Sequence, residues 1–547
     1  MMKKISSIPI IWIWAIVILL PSVAQADRTL FSVSSPGNGG PNLRVVDSLT
    51  GATIASIPIT LSGFSVQGAT GLARDPTSGN LYALLRVTGA GSCQSGGGGS
   101  IPRLVTINSG TGVATDIGSA GDCFSGLAFS SNGTLYGVTG DGGNIAETLY
   151  SFNKTSAART LVKTLGNGSD GEAIGFNRDD GLIYHASGND TLAVGPQVFE
   201  SIDPANFATA PVDIPRSGFD YVEALALTYQ GANKFLLTDG AGGTSRLLTI
   251  TTGGVATSLG VMDHDAKGLA FTPKPPADFD RDIKNDIGIY RDGTWSIKRS
   301  TDGGTTSVGW GGPTWEPVQA DYDGDGKVDI AVRNASSGLW SILRSSDGGN
   351  TLFGWSAAAN DIPVPADYDG DGKADFAVYN NATAGWSIIR SSDEGLTYRA
   401  WGGPAWAPVE ADYDGDGKVD IAVRNASNGL WSILRSSDGG NTLFGWSAAA
   451  NDIPVPADYD GDGKADFAVY NTASGGWSII RSSDGGLTYK AWGGPGWIPV
   501  PADYDGDGKA DIAVYNPSNG LWSILRSSDG GNTLVGLGGA PQDIPLN

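Results

Sequence analysis

The thirteen-residue stretch ADYDGDGKVDIAV, at 320–332, recurs nearly verbatim at 366–378, 411–423, 457–469 and 502–514, with an eroded copy at 277–289. A period of roughly 45 residues restricts half of the chain to a repeat architecture, in which each unit buries its apolar side only against the next. Aspartates fall at positions 1, 3, 5 and 9 of every copy. They are Asp321, Asp323, Asp325 and Asp329; Asp367, Asp369, Asp371 and Asp375; Asp412, Asp414, Asp416 and Asp420; Asp458, Asp460, Asp462 and Asp466; and Asp503, Asp505, Asp507 and Asp511. The eroded copy keeps Asp278, Asp280, Asp282 and Asp286. Carboxylates this crowded repel one another, and a hard divalent cation relieves the conflict. Ca2+ suits such a loop because it takes about six to eight oxygen ligands in flexible geometry. Gly326 at position 6 permits the positive φ of a tight turn. The lysines at position 7 (Lys327, Lys373, Lys418, Lys464 and Lys509) can add a backbone carbonyl.

Position 12 is Val332, Val378, Val423, Val469 or Val514, and Ile289 in the eroded copy, where a helix–loop–helix calcium sensor has a bidentate glutamate. Asp-Ile-Ala-Val also alternates as a strand does, so the loop feeds a β-strand. On these residues and this period, the stretch 277–547 resembles the FG-GAP/VCBS repeat, the calcium-loop blade of integrin α-subunit propellers and of many bacterial surface proteins. In the eroded copy Ile283 replaces the position-6 glycine, and a β-branched residue resists positive φ. About five strong Ca2+ sites and one doubtful one are expected, with a structural rather than a sensing role.

Each unit in the second half reads as loop, strand, turn, strand, Asp-Gly-Gly turn, strand, then Asp-Ile-Pro-Val-Pro into the next loop. Four strands per unit describe a propeller blade, and six blades closing on themselves would leave no exposed sheet edge. Residues 320–410 and 411–501 are near-copies, as from duplication of a two-blade unit. Apart from Trp12 and Trp14, every tryptophan lies here. Trp295, Trp340, Trp386, Trp431, Trp477 and Trp522 sit mid-strand and are expected in the core. Trp310, Trp315, Trp355, Trp401, Trp406, Trp446, Trp492 and Trp497 stand near Gly and Pro toward blade ends, where they either pack or stack on sugar rings.

Residues 1–26 read as a secretory signal peptide, with Lys3 and Lys4, the apolar run Ile8 to Leu20, and Ala24-Gln25-Ala26. Residues 27–275 repeat at 44- to 55-residue spacings through Gly71-Leu72-Ala73, Gly126-Leu127-Ala128, Ala173-Ile174-Gly175, Ala224-Leu225-Ala226 and Gly268-Leu269-Ala270. The expected fold is all-β: two tandem β-propellers, about five blades in 27–275 and about six in 276–547. A sixth blade in the first is the alternative if the 71–126 interval hides one. The last marker lacks a second strand, and Thr29 to Ser34 at the other end can supply it.

Polar residues before these markers should line the first channel mouth: Gln67, Asp122, Ser169, Asp170, Glu172, Asp220, Glu223, Asp263, His264 and Asp265. They are either acid–base candidates or hydrated strand caps. His185 and His264 are the only histidines, which excludes a multi-histidine metal site, and no Ser/His/Asp order stands out. Cys93 and Cys123 are expected to pair in an exported protein.

Most of the net charge of −22 belongs to the aspartate loops. There is no basic stripe, so nucleic-acid binding is not expected, and no later apolar run could anchor the chain in a membrane. The expectation is a secreted, cell-surface or periplasmic monomer that binds Ca2+ and, without catalysis, an extracellular protein or glycan ligand. The alternatives are a lyase or hydrolase at the first channel mouth, or a tryptophan-based lectin.

Overall fold

A computed structural model describes residues 28–547 except 35–39, 49, 77, 92–100, 141–142, 146, 166–171, 179, 189–197, 213–222, 232, 241–244, 274–275 and 450. Residues 1–26, expected to be a signal peptide, and Cys93 lie outside the described residues, and so do Ser169, Asp170 and Asp220. Cys123 is buried. Among the described residues every regular element is a β-strand, and no helix is long and apolar enough to cross a membrane. The strands form eleven sheets, ten of four strands and one of five. The chain is all-β, two propellers in tandem.

In the first propeller Val66–Arg74, Phe124–Phe129, Glu172–Phe176, Ala224–Gly231 and Ala266–Pro273 are the innermost strands of five sheets. Each packs on the next, and the last packs on the first. The marker glycines permit this convergence. A Cβ on Gly126 would press on the Ile174 amide, and one on Gly268 would lie 2.8 Å from the Leu72 amide. Arg28–Ser34 pairs antiparallel with Ala266–Pro273, Phe31 opposite Ala270, so one sheet joins both ends of this half.

In the second propeller each sheet borrows its short first strand from the preceding sequence unit. Asp361–Pro363 pairs with Phe376–Asn380, which pairs with Gly385–Ile389 and then Leu396–Ala400. At the chain's end Ile544–Leu546 pairs back onto Ile287–Arg291 and completes the first of six sheets. The mid-strand tryptophans Trp295, Trp340, Trp386, Trp431, Trp477 and Trp522 are fully buried. Trp431 packs edge-on against Phe467 of the following sheet, ring centres 5.4 Å apart. The core of this half lies between sheets, where large flat side chains fill the wedge that twisted blades leave.

Candidate metal centre

Each intact aspartate loop lies between the short first strand of a sheet and its second strand, and local hydrogen bonds fix its shape. In the loop starting at Asp321, that carboxylate accepts the amides of Gly324 (2.7 Å) and Gly326 (2.9 Å), both glycines at positive φ. Asp325 accepts the Lys327 amide (2.8 Å), and Asp329 accepts the Tyr322 amide (2.9 Å). The Asp-Gly-Gly side of the same blade also reaches in. Asp329 accepts the Ser345 amide, Asp325 the Ser345 hydroxyl, and Asp323 the Ser346 hydroxyl at 2.6 Å. The pattern recurs with Ser391 and Ser392, Ser436 and Ser437, and Ser527 and Ser528. These serines escape a reading centred on acidic residues, although the repeated Arg-Ser-Ser-Asp carries their signal.

Carboxylate oxygens converge within 4.8 Å of one another in Asp278/Asp280/Asp282, Asp321/Asp323/Asp325, Asp367/Asp369/Asp371, Asp412/Asp414/Asp420 and Asp458/Asp460/Asp466. Burial, reinforced by neighbouring aspartates, pushes Asp286, Asp329, Asp375, Asp420, Asp466 and Asp511 up to about 7. Burial also raises Asp412, Asp458 and Asp503, with neighbouring aspartates adding to it and, at Asp458, the Arg74 guanidinium opposing it. Crowded, all-oxygen donor sets of this kind can hold a hard cation. The position-7 lysines contribute backbone amides to the loop; their carbonyls stay candidates.

The eroded loop departs from the sequence expectation in one respect. Ile283 adopts φ +69° and Arg281 the same, and the Asp278 carboxylate accepts both amides as in the intact copies. The turn survives despite its β-branched residue, at a backbone cost of about 1–3 kcal/mol.

The loops also bond to one another. The amide at position 8 donates to the position-1 carbonyl of the preceding loop: Val328 to Asp278, Ala374 to Asp321, Val419 to Asp367, Ala465 to Asp412 and Ala510 to Asp458. Asn285 of the eroded loop donates to Asp503 at 2.7 Å and closes the circuit. The FG-GAP-like repeat family matches residues 321–378, 412–469 and 458–514, and the FG-GAP repeat family matches 495–535. FG-GAP repeats thus lie in the second half, over residues 321–378 and 412–535.

No curated protein matches the chain. Among solved structures, virginiamycin B lyase from Staphylococcus aureus, as an inactive variant with quinupristin, is 11% identical. It covers 63% of this chain and 94% of its own, at TM-score 0.28. TolB from Acinetobacter baumannii is 13% identical, covering 60% and 64%, at TM-score 0.26. A nidogen/laminin complex chain is 9% identical, covering 60% and 94%, at TM-score 0.28. Likenesses of this degree carry no argument about activity.

Around the FG-GAP loops, the blade-end tryptophans take part in packing. Trp310 donates to the Ser341 carbonyl, Trp401 to Ser432 and Trp492 to Ser523, each in the following sheet. Trp315, Trp406 and Trp497 are half-buried against the apolar clusters between sheets.

At the first channel mouth the described candidates fall into several small polar groups. Asp122 accepts the Cys123 and Asn144 amides, Glu223 and Asp265 lie 3.7 and 3.8 Å from Lys267, and Gln67 is exposed. Glu172 and Glu200 clasp buried His185 at 2.5 and 3.0 Å. Burial alone would lower this imidazole, but the two carboxylates carry it up to about 9. His264 bridges Ser32 and Asp263, each at 2.8 Å, a Ser/His/Asp line that sequence distance concealed. Ser32 has no exposed surface, so this line offers no nucleophile to a substrate.

Proposed function

We propose that this chain is an exported, calcium-binding, non-catalytic double propeller that binds a protein or glycan ligand outside the cytoplasm as a monomer. The observation that carries the calcium reading is the closed circuit of six carboxylate-rich loops. Its donors are all oxygen, and the crowding of its carboxylates favours a hard cation. A bound Ca2+ would supply positive charge to Asp321, Asp323, Asp325 and Asp329 and to their counterparts. The loop backbone would then hold the position-1 carbonyl and position-8 amide in register from blade to blade. The Cys93–Cys123 disulfide and the cleavable leader belong to the same reading, since both suit an extracytoplasmic chain. Near-identical blades favour multivalent recognition, in which weak contacts add through avidity.

Metal analysis of purified protein after gel filtration tests this directly. About five Ca2+ per chain are expected, and Asp329→Asn should remove one. Protein that takes up no Ca2+ from millimolar solution would refute the reading.

A further inference from the structure

The loop face of the FG-GAP ring is covered by the first propeller, and the contacts fall on the turns that wrap the candidate ions. Arg74, half-buried at the end of an inner strand of the first propeller, lies 3.8 Å from Asp458 and 3.5 Å from the Gly461 carbonyl. Its guanidinium also occupies the space beside Gly463. Arg178 donates to the Gly415 carbonyl at 2.6 Å. A side chain at Gly79 or Gly110 of the first propeller would collide with the Gly461 or Gly506 carbonyl. Gly415, Gly461 and Gly506 are all position 4 of their loops, and Gly463 is position 6. The eroded loop presents the same two positions differently. Arg281, at position 4, donates to Asp47 at 3.1 Å, and Ile283, at position 6, is buried in one apolar cluster with Phe31 and Val45 of the first propeller.

We infer that calcium loading of the second ring locks the first ring onto it, with Arg74 and Arg178 reading the loaded shape of the position-4 turns. The inference rests on the calcium reading above. A loaded loop presents its position-4 carbonyl outward to a guanidinium. Without the ion, the mutual repulsion of the carboxylates would work against the hydrogen bonds that hold that carbonyl in place. Ile283 gives the eroded loop the opposite character: its contact is apolar and needs no ion, so it serves as a permanent pivot while the intact loops act as the clamp. Binding and docking are then linked: docking tightens calcium binding by the same factor as calcium tightens docking.

The test uses the full chain, with calcium titration calorimetry and small-angle scattering in parallel, on wild type and on Arg74→Ala/Arg178→Ala. At calcium saturation the variant should show a larger radius of gyration than wild type, unchanged tryptophan emission, and a mean Kd raised about 5-fold. Arg74→Lys should restore part of both readings. If the double variant does not fold, wild type suffices. In chelator at low temperature its radius should grow while tryptophan emission still reports a folded second ring. Equal radii with and without bound Ca2+, or an unchanged Kd in the variant, overturn the inference and leave the calcium reading standing. Absence of any calcium uptake by wild type overturns both.

Discussion

The two propellers close their centres by different means. Innermost strands of the first run from five residues in Glu172–Phe176 to nine in Val66–Arg74, and their backbones pair along that length. Innermost strands of the second are two or three residues long, as in Glu316–Pro317 and Asp361–Pro363, and each includes a proline that has no amide to donate. So short a strand cannot hold a blade in register. The hydrogen bonds it lacks are replaced by the loop circuit running from Asp278 through Asp503 and back. The first ring therefore draws its cohesion from long apolar strands, and the second from buried tryptophans and charged loops.

Chelation should separate the rings most sharply. Each site held at a hundredfold over its Kd contributes about 2.7 kcal/mol. Stripping five should lower the melting point of the second ring by on the order of 20 °C or more. The first ring should keep its own transition, and equal shifts in both would erase the contrast.

Proton linkage gives the rings different pH windows. In chelator, the position-9 aspartates near 7 sit above their unfolded value of 3.8, so the folded second ring binds more protons than the unfolded chain. Their contribution is complete below the unfolded value and is lost as pH rises through 7, each aspartate contributing on the order of 1 kcal/mol after screening. Bound Ca2+ should flatten this dependence. His185, raised from 6.5 to about 9, acts in the first ring with the same sign in a higher window. Its contribution is complete below about 6.5 and disappears as pH climbs through 9. Melting scans at pH 5, 7 and 9 with chelator resolve the two. A second ring that melts alike at pH 5 and 7 contradicts the crowded-carboxylate account.

Within the second ring, Trp431→Ala should cost about 3–5 kcal/mol, the range for emptying a buried aromatic site. Trp431→Phe should cost under half of that, because the Trp431 indole N–H has no partner and its loss leaves nothing unsatisfied. Thermal unfolding of both variants in calcium checks the ratio. A phenylalanine variant as unstable as the alanine one would show that the indole does more than fill space.

The blades and the loops were legible because side chains announce them. Aspartates at fixed spacing, Trp-Ser-Ile strands and the Gly-Leu-Ala markers each repeat often enough to set a period. Closure of the first ring through Thr29 to Ser34 was legible for the same reason, an unpaired marker in need of a strand. What escaped is carried by the backbone or by distance. The bond from Asn285 to Asp503 joins main-chain atoms and leaves no trace in residue type. His264 meets Ser32 from the far end of its ring, and His185 collects Glu172 and Glu200 from separate strands of one sheet. The short strand of each blade, grouped by sequence with the unit before it, pairs with the unit after it.

The eroded loop supplies the finest test of the comparison, because a single residue there stands between the two modes of cohesion. Ile283 holds φ +69° in a loop otherwise arranged like its neighbours, and its side chain is buried against the first propeller. Replacing it by glycine relieves backbone strain of about 1–3 kcal/mol and frees the turn to tighten round an ion. Ile283→Gly should therefore bind one more Ca2+ per chain than wild type, or hold the weakest ion about tenfold more tightly, which is 1.4 kcal/mol. Removal of the apolar contact should act in the opposite direction, so the variant in chelator should melt below wild type while the difference narrows in calcium. Calcium counting and paired melting curves read both effects. If wild type already binds six ions, the positive φ of Ile283 costs no affinity, and packing against the first propeller has paid for that strain in full.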